Sequence, residues 1–229
     1  MFFDSNILQF YKSLQLKVRL PEGVSFMNPY QDKQAFALAE KFYKKFYGDE
    51  GERTLILGIN PGRFGGGVTG IPFTDPIRLA SDCGIENPLA KKPELSSEYI
   101  YRMITAYGGP EKFYQRFFIS AVSPLGFTKD GKNLNYYDIK ELQRAVEPFM
   151  IKSIRAQLDF RINRERCYCL GEGKNFEYLT YLNTKESFFK EIIPLAHPRF
   201  IMQYKRRFID QYIEDYLSKF KAESSKQKI

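Results

Sequence analysis

The chain has 229 residues, with 35 Lys and Arg against 27 Asp and Glu and a formal charge of +8. That length carries one large domain with a sizeable core, and the basic balance fits a polyanionic partner. A single histidine excludes a multi-histidine zinc site, and three cysteines cannot supply the four thiolates of an iron–sulfur cluster. No apolar run is long enough to span a membrane. No metal and no cofactor are therefore expected. Met1-Phe2-Phe3-Asp4 lacks the basic stretch of a secretory signal. With Cys83, Cys167 and Cys169 an odd set, a reducing, cytoplasmic setting is expected, and a monomer.

In chain order, Ile7, Leu8, Tyr11 and Leu14 predict a helix over 4–16, and Phe36, Ala39, Phe42, Tyr43 and Phe46 another over 31–47. Residues 53–59 read as a buried strand. Ile100, Met103, Ile104 and Tyr107 mark a helix over 96–107. A second strand covers 117–122 and stops at Ser123-Pro124. A long helix follows from about 137 to 158, then a strand over 166–170, where Cys167 and Cys169 pack as small hydrophobes. A helix near 173–183, a strand over 192–195 and an amphipathic helix from Phe208 to Phe220 complete the order. Strands alternating with helices predict an α/β fold. The expected architecture is a three-layer sandwich with a central four-stranded, mostly parallel sheet flanked by helices. One domain is expected over 1–220, with a polar, unstructured tail over 221–229.

The most informative stretch is residues 58–74, Gly-Ile-Asn-Pro-Gly-Arg-Phe-Gly-Gly-Gly-Val-Thr-Gly-Ile-Pro-Phe-Thr. It follows the first strand, at the carboxyl end where open α/β sheets hold their ligands. It is not a Walker loop, because Gly65-Gly66-Gly67 leads to Val68 rather than to Lys and Ser or Thr. Its chemistry rests on one amide at the strand tip, Asn60, and one aromatic, Phe73. Asp75 before Pro76 reads as a turn former.

Loops after strands one, two and four converge in such a fold, which brings Asn60 and Phe73 toward residues 120–127 and toward His197. The segment after the last strand is Ala196-His197-Pro198-Arg199-Phe200-Ile201-Met202-Gln203-Tyr204-Lys205. Large apolar residues beside Arg199, Lys205, Arg206 and Arg207 are unfavourable on an ordinary surface and suit a wedge that enters a base stack while cations hold phosphates. A second basic group, Arg161, Arg164 and Arg166, reads as a solvated face.

Four stretches together resemble the uracil-DNA glycosylase superfamily, and most closely its single-strand-selective monofunctional branch. They are Gly58 to Phe73, Ser123-Pro124-Leu125 with Gly131-Lys132-Asn133-Leu134, Leu170-Gly171-Glu172-Gly173, and His197-Pro198. The resemblance runs from about 53 to 218. It implies a repair enzyme that extrudes a damaged nucleotide and hydrolyses its N-glycosidic bond, leaving an abasic site. It also implies catalytic roles for Asn60, which positions water, and His197, which stabilises the leaving base. Base contacts would come from Phe73 and from the Ile59 to Gly62 turn. DNA contacts would come from Arg199, Phe200, Ile201, Met202, Lys205 and Arg206.

One departure bears on substrate. The branch has an asparagine that reads the uracil edge on the loop after strand two, and Ala121 stands there in this chain. Ser120 and Ser123 are the neighbouring candidates for part of that contact, and other deaminated bases enter the expected range. Two rivals belong to other classes. One is a non-catalytic nucleic-acid-binding module, which the loss at Ala121 favours. The other is a small-molecule nucleotide hydrolase, which has no use for the basic wedge segment.

Overall fold

The computed structural model describes residues 2–224. Its helices are α1 (Phe3–Ser13), α2 (Lys33–Tyr47), α3 (Gly66–Thr69), α4 (Pro76–Ser81), α5 (Leu95–Tyr107), α6 (Pro110–Tyr114), α7 (Lys140–Leu158), α8 (Lys174–Glu186), α9 (Pro198–Tyr204) and α10 (Ile209–Ser224). Its strands are β1 (Val24–Met27), β2 (Arg53–Gly58), β3 (Phe117–Ala121), β4 (Gly126–Lys129), β5 (Lys132–Leu134), β6 (Ile162–Leu170) and β7 (Glu191–Leu195).

The central sheet has four parallel strands in the order β3-β2-β6-β7. Every residue of β2 is buried, as a strand covered on both faces requires. Adjacent residues of β3 show the two covered faces, because side chains alternate along a strand. Phe118 packs edge-on against Phe3 of α1 and Tyr47 of α2. Phe117 turns the other way, to Phe113 of α6 and Phe220 of α10. The expected α/β sandwich is therefore the observed one. Pro194 lies in β7, an edge strand, where its missing N–H costs no ladder bond.

From β2 the chain moves outward to β3, and from β6 it moves outward the other way to β7. The switch point therefore lies between β2 and β6, and open α/β sheets bind ligands at the carboxyl ends there.

Several elements differ from the sequence expectation. β6 begins at Ile162, four residues early, because a register shift opposite Thr54 and Leu55 lets an irregular segment join the ladder. A second, antiparallel sheet of order β1-β4-β5 was not anticipated. Its hairpin turns at Asp130 and Gly131, both at positive φ, 51° and 69°. Asp-Gly is a strong short-range hairpin signal, so this element was readable. The short helices α3, α4 and α6 carry too few turns to leave a periodic pattern. α10 extends to Ser224, so the expected tail is helical in its first residues; positions 225–229 lie outside the described residues.

Candidate active site

A cavity of about 610 Å³ opens at the switch point. Its wall includes Asn60 after β2, Ala121 at the end of β3, Gly171 after β6, and His197 after β7. Phe73, from the far end of the glycine-rich loop, lies on the same wall.

Asn60 is held at both ends of its amide. Its Nδ2 donates to the Leu134 carbonyl at 3.2 Å, and its Oδ1 accepts the Tyr136 backbone N–H at 3.0 Å. Leu134 ends β5 and Tyr136 follows just after it, so the small antiparallel sheet fixes the orientation of this side chain. Each amide group still has bonding capacity to spare, and the residue lines the cavity. Tyr136 is itself anchored, its hydroxyl donating to Asn175 Oδ1 at 2.8 Å, while Asn175 Nδ2 donates to the Leu170 carbonyl at 3.1 Å. Asn60 thus rests on the tips of β5 and β6.

Phe73 has φ of 53°, in the left-handed region that bulky side chains avoid. The ring lies against Gly58, where a Cβ would come within 2.6 Å of Cε2. Gly58 is thus the residue type this close approach demands. The ring stands 6.2 Å from that of His197, tilted by 53°.

His197 is the N-cap of α9, and its Nδ1 accepts the Arg199 backbone N–H at 3.2 Å. An accepting Nδ1 leaves the proton of the neutral ring on Nε2. Burial, and then the Arg199 cation, push the ring pKa down to about 4. At neutral pH the ring is an uncharged donor.

Of the other sequence-expected residues, Ile59 and Gly62 line the cavity. The Ile59 carbonyl accepts Ser123 N at 3.1 Å, and the Gly62 carbonyl accepts Gly67 N at 2.9 Å. Ser120 and Ser123 do not reach the cavity. Both are fully buried, and Ser123 Oγ donates to the Leu125 carbonyl at 2.8 Å. Strand alternation turns Ser120 away from the face that Ala121 presents.

The segment after His197 is a helix rather than a loop, and this divides the expected wedge. Ile201 and Met202 face inward, 0% and 2% exposed, where α9 packs on α5. The opposite face presents Arg199, Phe200, Gln203 and Tyr204 to the cavity rim. Phe200 and Tyr204 are 43% and 67% exposed, with ring centroids 5.8 Å apart. Lys205 and Arg206 are exposed beyond the rim, and Arg206 pairs with Glu98 at 3.4 Å. The helix was legible in Pro198, a preferred first helical residue after a capping side chain.

Asp75 caps α4, accepting from Ile77 N at 2.9 Å, Arg78 N at 2.8 Å and Glu94 N at 2.9 Å. Its carboxylate is consumed by backbone. Among the wall residues the sequence reading passed over are Glu94, Lys174 and Asn175. Lys174 follows the Gly171-Glu172-Gly173 motif directly and opens α8, which was the available signal. Glu94 carried none. Among the described residues no cluster of three metal-ligating side chains occurs, and no helix is long and apolar enough to cross a membrane.

Residues 45–221 match the family described as Uracil DNA glycosylase superfamily. The crystal structure of wild-type SMUG2 from Pedobacter heparinus superposes with a TM-score of 0.96 at 47% identity, over 98% of this chain and 99% of that one. The match spans the sheet, the glycine-rich loop and the His197 segment alike, and the chain belongs to the uracil-DNA glycosylase superfamily.

Proposed function

We propose that this protein is a monofunctional DNA glycosylase that removes uracil, and other deaminated bases, from DNA. The observation that carries the reading is the convergence of Asn60, Phe73 and His197, from separate segments of the chain, on one cavity large enough for a nucleobase.

In this mechanism the nucleotide swings out of the strand and its base stacks on Phe73, at an unstacking cost of a few kcal/mol. The N-glycosidic bond breaks with its electron pair leaving on the base. Positive charge develops on the sugar and negative charge on the base oxygen. Neutral His197 donates from Nε2 to that oxygen, a fixed dipole directed at charge that exists only in the transition state. Asn60 orients a water toward the sugar carbon. An amide is a poor base, so the water adds late, to a sugar already cationic, and its proton passes to solvent or to the departing base. Water as nucleophile leaves an abasic site and an intact strand. Arg199 and Lys174 flank the cavity where the phosphates of an extruded nucleotide would lie.

Ala121 leaves part of the base edge unread from its own strand, which supports a range wider than uracil. The test is abasic-site formation on oligonucleotides containing uracil, hypoxanthine or xanthine, single- and double-stranded, beside free deoxyuridine. Cleavage of at least one lesion in DNA, with deoxyuridine untouched, is the expected result. Binding without cleavage would favour a non-catalytic module.

A further inference from the structure

Glu94 stands at the N-cap of α5, yet its side chain makes no capping hydrogen bond. It turns instead into the cavity wall beside the glycine-rich loop. Its Oε2 is buried and has no hydrogen-bond partner among the described residues. A buried polar oxygen without a partner is costly and is rare unless something else completes it. The room for the carboxyl comes from Gly65. A Cβ at Gly65 would collide with Oε2, whereas one at Gly62 would make only ordinary contact with Oε1, at 3.6 Å. A helix-capping position left unused and an orphaned oxygen packed against a required glycine meet at the wall of the base cavity.

We propose that Glu94 recognises the extruded base directly, its carboxyl meeting the ring N–H and adjacent carbonyl that deaminated bases share. This rests on the glycosylase reading and names a residue that would read the base edge Ala121 leaves open. A carboxylic acid presents an O–H donor beside a C=O acceptor, the same pair a carboxamide offers. The arrangement requires the acid to be neutral, and its surroundings favour that. Burial, and then the Asp75 carboxylate at the start of α4, push Glu94 up to about 7, against the opposing pull of Arg199 on α9. Arg63 on the glycine-rich loop is turned toward the Gly131 carbonyl of the hairpin and the Phe64 ring.

The test is the single-turnover rate on uracil-containing single-stranded DNA from pH 5 to 9, for wild type, Glu94→Gln and Glu94→Ala, with melting temperatures. Wild type should slow as pH rises through about 7, where the acid loses its donor. Glu94→Ala should be about 10- to 100-fold slower at pH 6, since the base is left with unmade hydrogen bonds. Glu94→Gln keeps donor and acceptor at every pH. It should recover most of that loss and lack the alkaline limb. Both variants matching wild type, both failing equally, or a wild-type rate that rises through pH 7 would each overturn the proposal; the last would mean the ionised carboxylate is the working form. Failure of wild type to cleave any deaminated base overturns the glycosylase reading itself, whereas cleavage indifferent to Glu94 overturns only this inference.

Discussion

The backbone N–H of Arg199 donates to Nδ1 of His197, and the charge of the same arginine opposes protonation of that ring. One residue thus sets the tautomer of the proposed electrophile and adds to the burial that keeps the ring uncharged. With the ring pKa at about 4, the neutral form prevails above that value and is lost as pH falls through it. Ring nitrogen NMR should therefore show the neutral Nε2–H tautomer throughout pH 5–8. A ring that titrates above pH 6 contradicts the assignment. Arg199→Gln should raise the ring pKa only in part, since burial is the larger cause. Replacing His197 with Ala should slow the chemical step by roughly 10²–10³, the usual loss for one preorganised donor.

Asn60 gives a different signature, because both ends of its amide are committed to the β5 segment. Asn60→Ala should slow single-turnover cleavage by roughly 10²–10³ and leave DNA affinity near wild type. Asn60→Asp would set a carboxylate oxygen against the Leu134 carbonyl, acceptor against acceptor. The expected outcome is a lower melting temperature than wild type at pH 8, by an amount comparable to one lost buried hydrogen bond, about 1–3 kcal/mol. An aspartate variant of unchanged stability would show that the amide is not locked in this way.

The parts of this site that were legible are those with local causes. Gly58 to Gly62 follows a run of buried residues, so the strand tip and Asn60 could be read from pattern alone. His197 before Pro198 at the end of β7 could be read in the same way. The assignment of Ile201 and Met202 to an exposed wedge failed because a seven-residue helix shows too little periodicity to reveal its inward face. Two of its apolar residues pack on α5 and two do not, and only tertiary contact decides which. Ser120 failed for a related reason: the pleat puts neighbouring residues on opposite faces, and register is not visible before pairing is known. Glu94 was invisible because its significance is an absent partner, a property of the folded state alone.

Gly58 is a tight packing constraint in the site, set by the stacking ring itself. A methyl group there would meet Phe73 Cε2 at 2.6 Å and Cζ at 2.8 Å. The Phe73 backbone already holds an unfavourable φ, so the ring has little freedom to retreat. Gly58→Ala should destabilise the fold by about 1–3 kcal/mol, as overpacking generally does. Activity should fall further than the folded fraction does, because the stacking platform is displaced. Thermal melts beside single-turnover rates separate the two. A variant with wild-type rates at temperatures where it is folded would remove Phe73 from the stacking role.

The two faces of α9 make the last prediction. Phe200 and Tyr204 project at the cavity rim with their rings near each other, while Ile201 and Met202 are sealed against α5. If an apolar group fills the gap left by an extruded nucleotide, it must come from the exposed pair. Phe200→Ala and Tyr204→Ala should leave the melting temperature unchanged and slow cleavage of double-stranded DNA more than single-stranded, because only the duplex has paired, stacked neighbours to hold apart. Ile201→Ala should behave in the opposite way. It opens a core cavity costing about 2–5 kcal/mol and should hurt both substrates alike through lost stability. The cations beyond the rim should differ as well. Lys205→Ala should flatten the salt dependence of binding, since each lost phosphate contact lowers the slope by about one. Arg206→Ala should flatten it less, because Arg206 already pairs with Glu98 at 3.4 Å. Equal losses on single and double strands for Phe200→Ala and Tyr204→Ala would falsify the wedge and leave this face as a phosphate and sugar contact only.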